Sequence, residues 1–302
     1  MKKTTKFAIG IGIVVVIFLG TVGIVTFVSS PKAPAKNGQV VHVNKQTSTV
    51  TDNQPSPDYL PGTKFTPAGL TLPADTYVFD SKRVDVTGDG IADDVVLTGE
   101  KQGKNPYVQN ISVAVKDGHN NKYWMTSIGT LNIGLDPKLF IGKFSKNGSN
   151  DILVSLATGG SGGVYQYSLL TDQNNQLTAL VPQKELNQGL ALETQCLSGL
   201  KLKIMDKNTG YTTSIDLHKG LADYERMGIY NSNGKLLKDP MILVDGFGVL
   251  KPEYDSINGV YDLHGIQSIS VGFHANSVAN ALSVWAIDNS HLKLLSEKVV
   301  PN

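Results

Sequence analysis

The sequence predicts an all-β domain built from repeated, blade-like units, and three observations carry that prediction. From residue 74 onward, short runs of alternating or β-branched apolar character follow one another, among them DDVVLTG, NISVAV, DILVSLAT, VYQYSLL and ALSVWAI, each bounded by turn residues. Helical periodicity is scarce, with only 183–195 and 219–226 leaving room for a short helix. The chain is also similar to itself. DVTGDGIADDVVLTG from Asp85 overlays KFSKNGSNDILVSLATG from Lys143 with the apolar run in register, so that Asp93 falls on Asp151. A third copy, EYDSINGVYDLHG from Glu253, aligns with one inserted residue near Ile257 and brings Asp262 to the same place.

Taken in order, residues 1–6 carry three lysines and no acid, which favours a cytoplasmic N-terminus. Residues 7–28, FAIGIGIVVVIFLGTVGIVTFV, have no charged side chain and as a helix would reach roughly 33 Å, enough for the hydrocarbon core. They are expected to be a single transmembrane anchor and not a cleaved leader, whose apolar stretch is normally about 7–15 residues. Residues 29–73 hold 7 of the chain's 13 prolines among Ser, Thr, Asn and Gln, and are expected to form a disordered stalk whose end docks near Tyr59 to Phe65. Residues 74–302 are the extracytoplasmic β domain. Hairpin turns are expected at 116–120, 171–175, 206–210 and 288–290, where Asp, Asn, Gly and Ser cluster between strands. Roughly four units of about 55 residues fit this span, and four strands per unit is the size of a propeller blade.

Charge and cysteine content exclude easy alternatives. With 27 basic against 26 acidic residues there is no polybasic footprint for nucleic acid. A lone Cys196 offers no disulfide and reads as a small buried apolar residue.

The chemistry is concentrated in Asp85-Val86-Thr87-Gly88-Asp89-Gly90-Ile91-Ala92-Asp93. Oxygen-bearing side chains fall at loop positions 1, 3, 5 and 9, a glycine at 6 and a backbone carbonyl at 7, the alternation a chain needs to wrap around Ca²⁺. The expected metal ligands are Asp85, Thr87, Asp89, Ile91 through its carbonyl, and Asp93, with one structural calcium. Val96 stands where an EF-hand would place its bidentate glutamate, so the loop feeds a strand. In the second copy Lys143 replaces the first ligand, leaving Ser145, Asn147 and Asp151; the third keeps Glu253, Asp255, Asn258 and Asp262.

The segment from Asp85 to Leu97 resembles the FG-GAP/VCBS-type repeat, whose DxNxDGxxD pattern precedes an apolar strand in integrin-α-like propellers and many bacterial surface proteins. The wider order, with LFIGKF and DILVSLATGGSGG in the middle, resembles VCBS-repeat proteins of spore-forming Gram-positive bacteria. The resemblance implies a propeller-like extracytoplasmic domain with structural calcium, and no single activity. Thr87 departs from the usual Asp or Asn.

Gly159-Gly160-Ser161-Gly162-Gly163 satisfies the G-x-S-x-G pattern, but Val164 to Leu170 alternates like a strand where a nucleophile elbow needs a helix. The six histidines show no metal-binding spacing. No catalytic residue is expected. The function expected is a membrane-anchored binding module for an unidentified protein or glycan, with a structural subunit of a cell-envelope or spore-associated assembly as the alternative and a serine hydrolase using Ser161 behind both.

Overall fold

Four antiparallel sheets arranged in chain order make up the fold. A computed structural model describes residues 54–302 other than Asn147, all within one unit of the chain, Thr49–Asn302. The predicted anchor at 7–28 lies outside the described residues; among those described, no helix is long and apolar enough to cross a membrane.

The first sheet is a meander of β1 (Thr76–Val84), β2 (Asp93–Lys101), β3 (Val108–Lys116) and β4 (Tyr123–Ser127). The second repeats it with β5 (Leu135–Gly142), β6 (Asp151–Ala157), β7 (Tyr165–Asp172) and β8 (Leu177–Ala179). After a single-turn helix α1 (Gln183–Leu186), the third has only three strands, β9 (Leu192–Leu197), β10 (Lys201–Asp206) and β11 (Thr212–Asp216). A short helix α2 (Leu221–Arg226) leads to the fourth sheet, β12 (Ile242–Asp255), β13 (Val260–Val271), β14 (Ser277–Asp288) and β15 (His291–Pro301). The four expected hairpin turns join β3 to β4, β7 to β8, β10 to β11 and β14 to β15. In three of them the aspartate accepts a backbone amide two or three residues on: Asp117 from His119 at 2.7 Å, Asp206 from Asn208 at 2.6 Å and Asp172 from Asn175 at 3.0 Å.

Two cores hold the sheets together. Val95, Leu97, Val113 and Val115 of the first sheet pack on Ile141, Ile152, Val154 and Leu156 of the second. A larger core joins the second, third and fourth sheets through residues that include Phe144, Leu169, Leu202, Ile204, Phe247, Ile269 and Trp285. The sheets therefore meet in the order first, second, fourth, third. The all-β architecture of sheet units agrees with the expectation, but no closed ring of sheets is found among the described residues, and the third unit is one strand short of a blade.

The packed chain begins upstream of residue 74. Gln54 accepts the Arg83 amide at 3.0 Å, the Gly62 amide reaches the Val78 carbonyl at 2.8 Å, and Phe65 is buried under the first sheet. Residues 59–65 thus dock as expected, within a longer docked stretch. At the far end, the turn between β10 and β11 lies across β15, where the Val299 amide donates to Tyr211 Oη at 3.3 Å and the Thr209 hydroxyl to Glu297.

Candidate metal centre and the repeat loops

The first repeat loop connects β1 to β2 and is organised by its own carboxylates. Asp85 accepts the Gly88 amide at 2.6 Å on one oxygen and the Gly90 amide at 2.8 Å on the other, while Asp89 accepts the Ile91 amide at 2.8 Å. Gly90 makes the turn at φ +85°, a region that favours glycine. Asp93 is buried and reaches back to close the loop, accepting from Val86 at 2.9 Å, Thr87 at 3.1 Å and, across the sheet, Gly118 at 3.0 Å. Burial raises its pKa and these amides oppose the rise. Gly118 has no room for a Cβ, which would stand 2.2 Å from the Ala92 carbonyl oxygen.

The donor chemistry suits a hard cation at one side of the loop only. A carboxylate offers about four lone-pair sites. Asp89 uses one, Asp85 uses two on amides and a third on a long contact from the Thr87 hydroxyl at 3.4 Å, and Asp93 uses three. Asp85 and Asp93 thus keep one site each and Asp89 three; because Asp93 is buried, the acceptors open to a cation are Asp85, Asp89, the Thr87 hydroxyl and the Ile91 carbonyl. Among the described residues, no three His, Cys, Asp or Glu side chains stand close enough together to hold a metal ion by themselves. Asp94 faces away from the loop: it is buried and accepts from Ser56 at 2.7 Å and Arg83 at 3.2 Å, with Lys116 at 3.9 Å.

The other two copies occupy the same connection, between first and second strands of their sheets. In the second, Asp151 is buried and accepts the Phe144 amide at 3.0 Å, with Oδ1 enclosed and without a donor; burial pushes its pKa up to about 6. Asn147 lies outside the described residues. The third copy is a tight hairpin turn in which Asp255 accepts the amides of Ile257 and Asn258, and Glu253 turns to Lys251 at 3.1 Å. Its four oxygen-bearing side chains do not converge.

Loop-to-loop contacts tie the copies into a row. Ser149 Oγ donates to the Val86 carbonyl and Asn150 Nδ2 to the Asp85 carbonyl, both at 2.8 Å, so the second loop clasps the first. Lys146 Nζ donates to Asn258 at 2.8 Å and the Tyr261 amide to the Lys143 carbonyl at 2.8 Å, which joins the second copy to the third. These contacts span more than 60 residues of sequence, and no local pattern announces them.

The glycine-rich segment turns back from β6 into strand β7, with no helix after Ser161. Gly159 and Gly163 hold positive φ, at +78° and +64°, and Gly162 does not. Gly162 instead presses on Asp245 of β12, where an added Cβ would stand 3.1 Å from Oδ1. Asp245 pairs with His274 Nδ1 at 3.1 Å, a carboxylate–imidazole pair contributed by distant positions and invisible to spacing arguments. Ser161 makes no hydrogen bond to His274 among the described residues.

Residues 190–300, which cover the third and fourth sheets, match the family described as the YybI C-terminal domain. The uncharacterized protein YybI of Bacillus subtilis (strain 168) is 30% identical over 209 residues, spanning 68% of this chain and 77% of the relative. No solved structure matches the chain. With that identity over that share of the relative, the chain belongs to the YybI family.

Proposed function

We propose that the chain is a membrane-anchored, outward-facing binding module whose β repeat domain is held on a stalk and stabilised by calcium in its first loop, in the manner of FG-GAP/VCBS-type repeats. One observation carries the reading. The three repeat loops sit at equivalent connections of neighbouring sheets and touch in series, the placement that loops on adjacent propeller blades would have. The anchor at 7–28 rests on the sequence, and protease added outside wall-stripped cells should digest residues 74–302 while leaving a membrane-embedded fragment.

In this reading Asp85, Thr87, Asp89 and the Ile91 carbonyl hold the ion and Asp93 keeps the loop closed behind them. Calcium would supply neutralising charge to a loop that otherwise gathers carboxylates. Binding to the native state alone stabilises it by RT ln(1 + [Ca²⁺]/Kd), which at ~2 mM calcium and a Kd of ~10⁻⁴ to 10⁻³ M is roughly 0.6–1.8 kcal/mol. For a domain this large the melting temperature should rise by only about 1–7 °C. Calorimetry of the full chain with calcium and with chelator tests it, with Asp89→Ala expected to erase the difference. Equal wild-type melting temperatures would remove calcium from the proposal.

A structural role in an envelope or spore-associated assembly is separated by mild crosslinking, which should then trap stoichiometric neighbours. The hydrolase reading gains one specific support, the Asp245–His274 pair beside the Ser161 loop. Labelling by a serine-reactive phosphonate that disappears in both Ser161→Ala and His274→Ala would favour it over binding.

A further inference from the structure

Asp262 is a charged side chain that folding has left without a partner. It lies on β13, is nine-tenths buried, and neither accepts a hydrogen bond nor forms an ion pair among the described residues, unlike Asp93 and Asp151, which correspond to it in the other copies. Its oxygens are not enclosed as Asp151 Oδ1 is, so solvent in the space before it is what meets the charge. The direction it faces is informative. Asp262 lines an open cleft of about 520 Å³ between the second repeat loop and the turns of the fourth sheet, a size suited to a small ligand.

The rest of that cleft combines apolar and neutral polar groups with a second carboxylate, Asp288, and two lysines, Lys146 and Lys293. Phe144, Leu180, Val260, Ile287 and Leu295 give it apolar walls. Its two lysines have partners within the lining: Lys146 donates to Asn258 at 2.8 Å beside Asp255, and Lys293 lies 3.9 Å from Asp288. Asp262 is thus the charged group of this lining that has no partner among the described residues, and the apolar walls around it favour a cation that carries hydrocarbon over a bare, strongly hydrated metal.

We propose that this cleft binds an alkylammonium group, with Asp262 as the counter-ion and the apolar walls covering the methylene chain. A primary ammonium supplies three donors to a carboxylate that has none, and its stem removes apolar surface from water. The group can come from a free diamine or from the side chain of a lysine in a polypeptide. Burial and the neighbouring Asp255 charge raise the Asp262 pKa while His264 opposes the rise, the direction expected of a carboxylate awaiting a cation.

The site stands apart from the calcium loop, and the experiment is run in chelator so that failure of one proposal is not failure of the other. Full-length chain in detergent is titrated calorimetrically with 1,5-diaminopentane, with Nα-acetyl-lysine amide, and with 1,5-pentanediol as the uncharged control. Binding of at least one amine, no binding of the diol, and at least tenfold weakening in Asp262→Asn with twofold change or less in Asp223→Asn, on α2 and outside the cleft, are expected. Preference for the diamine assigns a free amine, and preference for the lysine derivative assigns a polypeptide side chain. Because Asp262→Asn could alter folding, the carboxyl ¹³C resonance of Asp262 is followed in the wild-type chain and should move on adding the amine. Equal binding in Asp262→Asn, no binding of either amine, or a resonance that does not move with amine would overturn the proposal.

Discussion

Asp151 is enclosed with one oxygen facing no donor, and its pKa of about 6 follows from desolvation that the Phe144 amide only partly offsets. The folded-state value lies above that of the unfolded chain, so this group's contribution is complete below the ordinary value of 3.8 and is lost as pH rises through about 6. Asp151→Asn, which cannot ionise, should therefore gain on the wild type between pH 4.5 and 7.5 by on the order of 2 kcal/mol, read from urea unfolding at the two pH values. A gap that does not change with pH would contradict it. At Gly162 the contact decides the outcome, not the backbone angle. A Val side chain there meets the Asp245 carboxylate and should cost about 1–3 kcal/mol, whereas Ser161→Ala should stay within about 0.5 kcal/mol of wild type. Chemical denaturation of the two variants side by side distinguishes them.

Alternating strands and Asx-type turns are local signals, and so the hairpins at 116–120, 171–175, 206–210 and 288–290 were readable from the sequence along with the shortage of helix. The repeat register was readable for the same reason, since Asp93 and Asp151 each open the second strand of a sheet. What was not legible depends on contacts between distant segments. Asp94 directly follows the loop in sequence, yet Ser56 and Arg83 hold it from the other side. The third copy keeps its oxygens in sequence, but a tight hairpin replaces the open loop and scatters them. Asp245 of β12 and His274 of the connection between β13 and β14 lie 29 residues apart with no motif between them. Inside the fourth sheet, packing is tightest where Gly265 faces Phe247, since an added Cβ would meet Phe247 Cε1 at 2.4 Å and Ser283 Oγ at 2.7 Å. Gly265→Ala should lower stability by about 1–3 kcal/mol with no change in the urea slope, and a neutral effect would mean that this sheet repacks freely.

The sheets depend on a few junctions, and Tyr261 stands at the one between the second and the fourth. Its ring packs edge-on against Phe140 at 4.9 Å and lies 5.9 Å from Phe144, while its amide holds the Lys143 carbonyl. Tyr261→Ala should cost about 2–4 kcal/mol, and because it loosens one junction and no single sheet, the calorimetric transition should broaden as cooperation between the halves weakens. A sharp transition merely shifted downward would show that the junction is not limiting. The opposite boundary of the molecule is β15, an outermost strand of 11 residues whose free side is the kind of surface on which another strand can grow. Tyr211 and Thr209, reaching over from the neighbouring sheet, occupy part of that side, and Lys293, Lys298 and Pro301 make the remainder a poor template. The short third sheet thus acts as a stopper against polymerisation: losing its turn would leave each copy competent to seed the next, and Tyr211→Ala should show as concentration-dependent thioflavin-positive fibrils from a protein that still folds.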